Sequence, residues 1–193
     1  MKKDSAWWNE MAESHGRTWA AVNSSERAAV RRMDCVRLHL KNNLPMPLSA
    51  ARVLDLGCGN LLVENALGPF RKYTGVDFSQ KLLDTAIPKT AGARLMCRDM
   101  MSLLPEEFGE FDVVLCVNVL TQPHIFNGNL APVLNYVSEF IGSAVHGGVF
   151  TFSFEGVQVW SRRLYRPAQG VRLAAWIAQS QNRGENELWT SPA

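Results

Sequence analysis

The chain has no long apolar run, no strong excess of charge of either sign and few cysteines. Its 193 residues carry 20 basic and 18 acidic side chains, for a formal net charge of +2. Because nucleic-acid-binding proteins usually carry clustered positive charge, this balance argues against a nucleic-acid partner. No apolar stretch reaches membrane-spanning length or is typical of a secretion signal. The sequence therefore predicts a cytoplasmic protein with no membrane partner.

The cysteines show no spacing that is typical of a metal site or a disulfide framework. Cys35, Cys58, Cys97 and Cys116 form no CxxC pair, and no histidine stands at zinc-ligand spacing from them. We therefore predict reduced thiols and no bound metal. Cys116 lies inside an apolar run, which predicts a core residue.

A tryptophan-rich segment and one predicted helix precede the first strand signal. Residues 1–22 are rich in tryptophan, and Asn23 with Glu26 forms a capping box that predicts a helix start. Apolar residues then recur on one helical face to about Lys41. These residues are Ala29, Met33, Val36 and Leu40. We predict a helical lid or cap over residues 1–45 and the main part of a single domain over residues 46–193.

From Arg52 onward, short apolar runs alternate with helical stretches. The predicted strands cover 53–56, 73–76, 93–97, 111–117 and 149–154, and the predicted helices cover 61–67, 79–87 and 130–141. Ser79 is predicted as the N-cap of its helix. Strands that alternate with helices indicate an α/β fold with a mostly parallel sheet and helices on both of its faces.

A turn with two glycines follows the first predicted strand and precedes a helix. In Asp55-Leu56-Gly57-Cys58-Gly59, the glycines remove side chains where the backbone turns sharply and approaches a ligand. Asp77 ends the second predicted strand, where a carboxylate can accept hydrogen bonds from two ribose hydroxyls. A dinucleotide site needs a third glycine, but that position is Leu62, which argues against a pyrophosphate on this turn.

These motifs resemble those of class I S-adenosylmethionine (SAM)-dependent methyltransferases over roughly residues 50–155. The resemblance implies a Rossmann-like fold, SAM as cofactor and S-adenosylhomocysteine (SAH) as product. The matching segments are Val53 to Gly59, Gly75 to Ser79, Cys97 to Met100, Phe111 to Asn118 and Gly147 to Phe150.

For the methionine end of SAM, the resemblance implies contacts after the first and fourth strands. Asp55 would steady the glycine turn and reach the methionine amino group through water. Gly57 and Gly59 would pass close to the methionine part of the cofactor. Asn118 would contact the same end through its backbone or its amide.

For the adenosine end, the resemblance implies contacts after the second and third strands. Asp77 would hold the ribose hydroxyls, and Phe78 would pack against adenine. Asp99 would accept a hydrogen bond from the adenine amino group, while the Met100 N–H would lie near N1.

The methyl acceptor is expected beyond the C-terminal ends of the strands. His124 is a candidate general base there, with an exposed loop histidine as the alternative. Glu155 is a candidate for orienting an amine or a hydroxyl, with a surface or helix-start carboxylate as the alternative. Aromatic residues near the N-terminus are candidates for a lid, with packing of a helix on the sheet as the alternative. These residues are Trp7, Trp8, His15 and Trp19.

The C-terminal part of the chain departs from the family pattern. The family sheet usually ends with a sixth strand and an antiparallel seventh, whereas Val157 to Ser180 is predicted to be mostly helical or irregular. We therefore expect a sheet that is shortened at its C-terminal edge or completed by another chain.

The resulting hypothesis is a SAM-dependent methyltransferase that acts on a nitrogen or oxygen atom of a small molecule, in a biosynthetic pathway. The near-neutral charge and the aromatic N-terminal residues favour a small acceptor. A tRNA or protein methyltransferase and a non-catalytic SAM-binding or scaffolding homologue are the alternatives. The oligomeric state is left open, with a dimer among the options.

Overall fold

A computed structural model describes residues 5–22, 26–117, 119, 131–146, 148–154, 157–163 and 176–180. It contains seven strands: β1 Arg52–Leu56, β2 Lys72–Asp77, β3 Arg94–Cys97, β4 Val113–Val117, β5 Gly148–Phe154, β6 Val157–Arg163 and β7 Trp176–Ser180. They form one sheet in the order β3-β2-β1-β4-β5-β6-β7. The strands from β1 to β5 pair in parallel, whereas β6 and β7 are antiparallel to their neighbours.

The α-helices are α1 Ser5–His15, α2 Glu26–Asn43, α3 Leu62–Leu67, α4 Gln80–Asp84 and α5 Ala131–Ser143. Short 3-10 turns cover Trp19–Val22, Leu48–Ala50, Met100–Ser102 and Pro105–Phe108. Every helix among the described residues is too short or too polar to cross a membrane.

Apolar side chains pack on both faces of the sheet. Val53 and Leu115 point to the face covered by α2 and α3. Leu54 and Cys116 point to the opposite face, where they pack against α5. This arrangement follows from the two-residue period of a strand, and it confirms the predicted mostly parallel sheet with helices on both faces.

The predicted apolar face of α2 is buried, with Ala29, Met33, Val36 and Leu40 at most 2% exposed. Leu38, which falls off this face, is 59% exposed. The helix begins at Glu26, and its predicted cap Asn23 lies outside the described residues. Ser79 is confirmed as the N-cap of α4, because its Oγ accepts a hydrogen bond from the Leu82 N–H. That helix ends at Asp84, three residues earlier than the predicted end at residue 87.

The prediction for residues 157–180 was wrong where the structure describes them, at 157–163 and 176–180. These residues form β6 and β7, so the sheet is not shortened at its C-terminal edge. Two residues separate β5 from β6, and the register begins with Phe154 opposite Val157. Such a short connection is typical of two antiparallel neighbouring strands, and β6 pairs along the edge of β5. This long-range pairing outweighs the local pattern that favoured a helix.

Asp112 is part of an ion pair that ties β1 to the start of β4. Asp112 is only 5% exposed. Asp112 Oδ1 lies 2.7 Å from Arg52 Nη2, and Oδ2 accepts the Arg52 backbone N–H at 2.7 Å. Hydrogen bonding to the guanidinium holds the pKa of Asp112 below its usual value, so the pair stays ionised at neutral pH.

Candidate cofactor site

The segments that follow β1, β2 and β3 lie side by side, because backbone hydrogen bonds continue past the strand ends. The N–H groups of Gly57 and Cys58 donate to the Val76 carbonyl at 2.7 and 3.0 Å. The N–H of Arg98 donates to the Asp77 carbonyl at 2.9 Å. The sheet thus brings together the three segments to which cofactor contacts were assigned.

The glycine turn has the backbone conformation for which glycine is suited. Gly57 and Gly59 have φ angles of +74° and +53°, a region that other residues enter at a cost. A Cβ atom at Gly57 would lie 2.3 Å from Val119 Cγ2. The turn therefore packs closely against the residue that follows Asn118, and no side chain can be added without moving one of them.

Asp77 is oriented by the backbone on both sides of its carboxylate. Oδ2 accepts the Gly59 N–H at 2.8 Å, and Oδ1 accepts the Ser79 N–H at 2.9 Å. The Phe78 N–H also favours the charged carboxylate, and the two oxygens together can accept more hydrogen bonds than these backbone groups supply. Burial raises the pKa of Asp77 to about 6, although the backbone hydrogen bonds act to lower it. The group is thus a directed, mostly ionised acceptor suited to the two hydroxyls of a ribose.

The segments after β2 and β3 provide the groups assigned to adenine. Phe78 is 36% exposed, so its ring is accessible for packing. Asp99 is exposed and accepts the Met101 N–H through Oδ1 at 2.9 Å, so Oδ2 takes no part in this turn. Met100 is buried, and its carbonyl accepts a hydrogen bond from the Tyr136 hydroxyl of α5. Tyr136 was missed at the sequence level because nothing local relates it to Met100.

Asp55 lies beneath the glycine turn, 1% exposed. Its Oδ2 accepts the Tyr73 hydroxyl at 2.7 Å. Burial is the main reason that the pKa of Asp55 is raised to about 7, and the negative charges of Asp77 and Glu64 add to it. Tyr73 has no motif that marks it, so only the structure reveals this partner. The contact of Asp55 with the methionine amino group stays a prediction.

The buried carboxyl of Asp55 gives an expected dependence of stability on pH. Its folded pKa of about 7 exceeds the unfolded value of about 4. The native state therefore binds the proton more tightly, and the free energy of unfolding decreases as pH rises from about 4 to about 7. Asp55→Asn keeps an acceptor for Tyr73, so we expect it to raise the unfolding free energy at pH 8 by on the order of 1–3 kcal/mol.

Urea unfolding of the wild type and Asp55→Asn between pH 4 and pH 8 measures this effect. The pH dependence should be flatter in the variant than in the wild type. Asp84→Asn is the matched control, because Asp84 is exposed and accepts a hydrogen bond from Gln80 of its own helix. A lower stability of Asp55→Asn at pH 8 would contradict the expectation.

Three of the predicted site residues, Asn118, His124 and Glu155, lie outside the described residues. The predicted N-terminal aromatic residues are described, and they occupy different surroundings. Trp8 is buried and packs with Leu82 of α4, whereas His15 is exposed. Trp7 meets Trp8 edge to face, and Trp19 packs at the margin of the core beneath α2. The N-terminal residues thus contact the domain beside the site, and their role as a lid stays a prediction.

A family model described as a methyltransferase domain matches residues 53–139. Residues 53–139 form a methyltransferase domain. The match begins in β1, extends into α5 and includes the glycine turn, Asp77 and Asp99. No curated protein gives a significant sequence match to the chain.

Two solved structures illustrate the shared fold of this methyltransferase. The N-methyltransferase NodS from Bradyrhizobium japonicum WM9, crystallised with SAH, is 16% identical with a TM-score of 0.56, over 77% of this chain and 71% of NodS. The magnesium protoporphyrin IX methyltransferase from Synechocystis PCC 6803, crystallised with SAM, is 16% identical with a TM-score of 0.51, over 83% of this chain and 92% of that protein. The family match confirms the predicted methyltransferase, and the two solved structures confirm its predicted class I fold.

Proposed function

We propose that this methyltransferase transfers the methyl group of SAM to a nitrogen or oxygen atom of a small-molecule acceptor, as a step of biosynthesis. The observation that carries the proposal is the carboxylate of Asp77, whose two oxygens are each held by one backbone N–H beside the glycine turn. This arrangement fits a nucleoside cofactor, since a vicinal diol can donate to both oxygens at once.

The residues that follow β1, β2 and β3 fit SAM at both ends of its adenosine part. Asp77 would take the ribose hydroxyls, Phe78 would lie against adenine, and Asp99 would accept from the adenine amino group. Gly57 and Gly59 would let the backbone lie close to the methionine part. SAM supplies a methyl group that is already activated on a sulfonium, so the protein has mainly to align the acceptor and exclude water.

A small acceptor is supported by the charge and by the neighbours. The net charge of +2 gives little of the attraction that a polyanionic tRNA would require. One structural neighbour is named for magnesium protoporphyrin IX, and the other is an N-methyltransferase. We further propose His124 and Glu155 as groups that receive the acceptor's proton or orient the acceptor, because both follow strands at the edge where the acceptor is expected.

Calorimetry with SAH tests the cofactor part of the proposal. We expect micromolar-range binding in the wild type and a loss of about 1.5–3 kcal/mol of binding free energy in Asp77→Ala, because two hydroxyls lose a charged acceptor. Asp84→Ala, which removes an exposed carboxylate nearby on α4, should bind like the wild type. The proposal fails if SAH gives no heat at millimolar concentration, and the role of Asp77 fails if its variant folds and binds normally.

The acceptor part needs a separate measurement. Incubation of the protein with SAM labelled on the methyl group, against panels of small amines, hydroxy compounds and carboxylic acids, should transfer label to one class. Parallel reactions with tRNA and with unfolded protein should stay unlabelled. Transfer to either macromolecule instead would replace the proposed acceptor class.

A further inference from the structure

The N-terminal segment, defined as residues 5–22, contacts two separate parts of the cofactor site. At its first contact, Asn9 of α1 meets the start of α4. Asn9 Oδ1 accepts the Ser79 hydroxyl at 2.7 Å and the Lys81 N–H at 3.4 Å. A salt bridge of 3.0 Å between Glu13 and Lys81 lies further along the same helix. The segment thus holds the residues that directly follow Asp77 and Phe78.

The second contact is made by Asn60, the residue after Gly59. Asn60 is fully buried, and its Nδ2 donates to the carbonyls of Gly16 and Thr18, at 3.4 Å each. The two carbonyl partners fix the orientation of the amide, because the opposite orientation would place oxygen against oxygen. Asn60 therefore fastens the glycine turn to the end of the N-terminal segment.

The carboxylate of Asp77 hydrogen-bonds to both of these parts of the site. It accepts one N–H from Gly59, next to Asn60, and one from Ser79, whose hydroxyl binds Asn9. The separation between the glycine turn and the start of α4 decides whether both hydrogen bonds to Asp77 form together. The N-terminal segment connects the same two parts through its own hydrogen bonds to Asn60 and Ser79. Its buried apolar residues add to the attachment, since Trp8, Ala12 and Ala21 pack with Leu82.

We propose that Asn9 and Asn60 are positioning residues for Asp77, through which the N-terminal segment sets the carboxylate to receive the ribose diol of the cofactor. The inference rests on the proposed binding of the ribose by Asp77. It assigns the segment a part in recognising the sugar, in addition to any covering of the site. The two asparagines act through the turn and through α4, and neither needs to touch the ligand.

The test compares SAH with its 2′,3′-dideoxy analogue, which lacks both ribose hydroxyls. In the wild type, SAH should bind more tightly than the analogue, and the ratio of the two dissociation constants measures recognition of the diol. We expect Asn9→Ala and Asn60→Ala to reduce that ratio by about tenfold, while binding of the dideoxy analogue changes by less than about threefold. A merely structural role would weaken both ligands alike.

Two further variants serve as controls. Asn65→Ala removes a similar pair of hydrogen bonds, from Asn65 Nδ2 to the carbonyls of Leu61 and Ile87, without linking the segment to the site, so its ratio should equal the wild-type value. Asn9→Asp keeps an acceptor for Ser79 and should also keep the ratio. Asn9 is only half-buried, so its alanine variant carries the test if Asn60→Ala does not fold.

The outcomes separate the inference from the proposed function. An unchanged ratio in folded Asn9→Ala and Asn60→Ala overturns the inference, and so does an equal loss of affinity for both ligands. If the wild type itself binds SAH and the dideoxy analogue equally, the ribose role of Asp77 is wrong. If it binds neither, the proposed cofactor is wrong.

Discussion

Gly57→Ala is expected to weaken SAH binding by roughly 100-fold or more, because the added methyl group cannot be accommodated. Its Cβ would lie 2.3 and 2.8 Å from the two methyl carbons of Val119. The branched, short side chain of Val119 has little freedom to move away. An alanine at this position would also be strained by the φ angle of +74°. The glycine turn must then shift, and with it the Gly59 N–H that orients Asp77.

One control variant and one double variant test whether crowding at Gly57 causes the loss of binding. Gly92 has a similar φ of +67°, but a Cβ there would meet no described atom within 4 Å. Gly92→Ala places alanine in the same unfavourable backbone region. It should leave SAH binding within about twofold, because Gly92 precedes β3 whereas the crowded turn follows β1, at the opposite edge of the parallel sheet. Adding Val119→Ala to Gly57→Ala removes both crowding methyl groups and should restore most of the affinity. Calorimetry on the four proteins decides, and an unrescued double variant would mean that Val119 is not the obstacle.

Gly148→Ala is expected to lower the free energy of unfolding by about 3 kcal/mol or more, since over-packing against backbone cannot be relieved by a rotamer change. Gly148 pairs with Val114 where β5 begins beside β4. A Cβ atom at this glycine would lie 2.3 Å from the Val114 carbonyl oxygen and 3.1 Å from Ile141 of α5. The strand or the helix would have to move, and both belong to the core.

Gly142→Ala is the matched control for this second variant. Gly142 lies in α5, one residue after Ile141, and a Cβ there meets no described atom within 4 Å. Alanine is the better helix former, so this variant should gain about 0.5–1 kcal/mol. Urea unfolding measures both variants against the wild type. Equal stabilities for the two would show that the contact with Val114 has no energetic consequence.

The order of the main elements from α2 to β5 could be predicted because each of them has a local signal. The i, i+4, i+7 spacing predicted the buried face of α2, and uninterrupted apolar runs predicted the central strands. Residues 157–163 lack such a signal, since their extended conformation depends on pairing with β5. Leu61 is a second example: it adopts a φ of +65° while fully buried, which no propensity of leucine predicts.

The candidate site could be predicted where its residues belong to a motif of a few consecutive positions. The glycine turn and Asp77 belong to such motifs, and the structure brings them together. The hydrogen bonds of Asn9 with Ser79 and of Tyr73 with Asp55 join residues far apart in sequence. Such contacts are set by the packing of whole elements, so their residues stay unmarked until the fold is known. The contact of Gly57 with Val119 could not be predicted for the same reason, whereas the predicted contact of Gly57 with the cofactor stays a prediction.

The attachment of α1 to α4 has a consequence for how the chain matures on the ribosome. Asn9 and its partner Ser79 are 70 positions apart, and translation adds about 5–20 residues per second. The first helix therefore leaves the exit tunnel roughly 4–14 seconds before its docking surface has been synthesised. During that interval Trp8, buried in the finished protein, is available to chaperones that recognise exposed apolar side chains. The N-terminus is thus translated first but reaches its final place only after the second strand and the helix that follows it have formed.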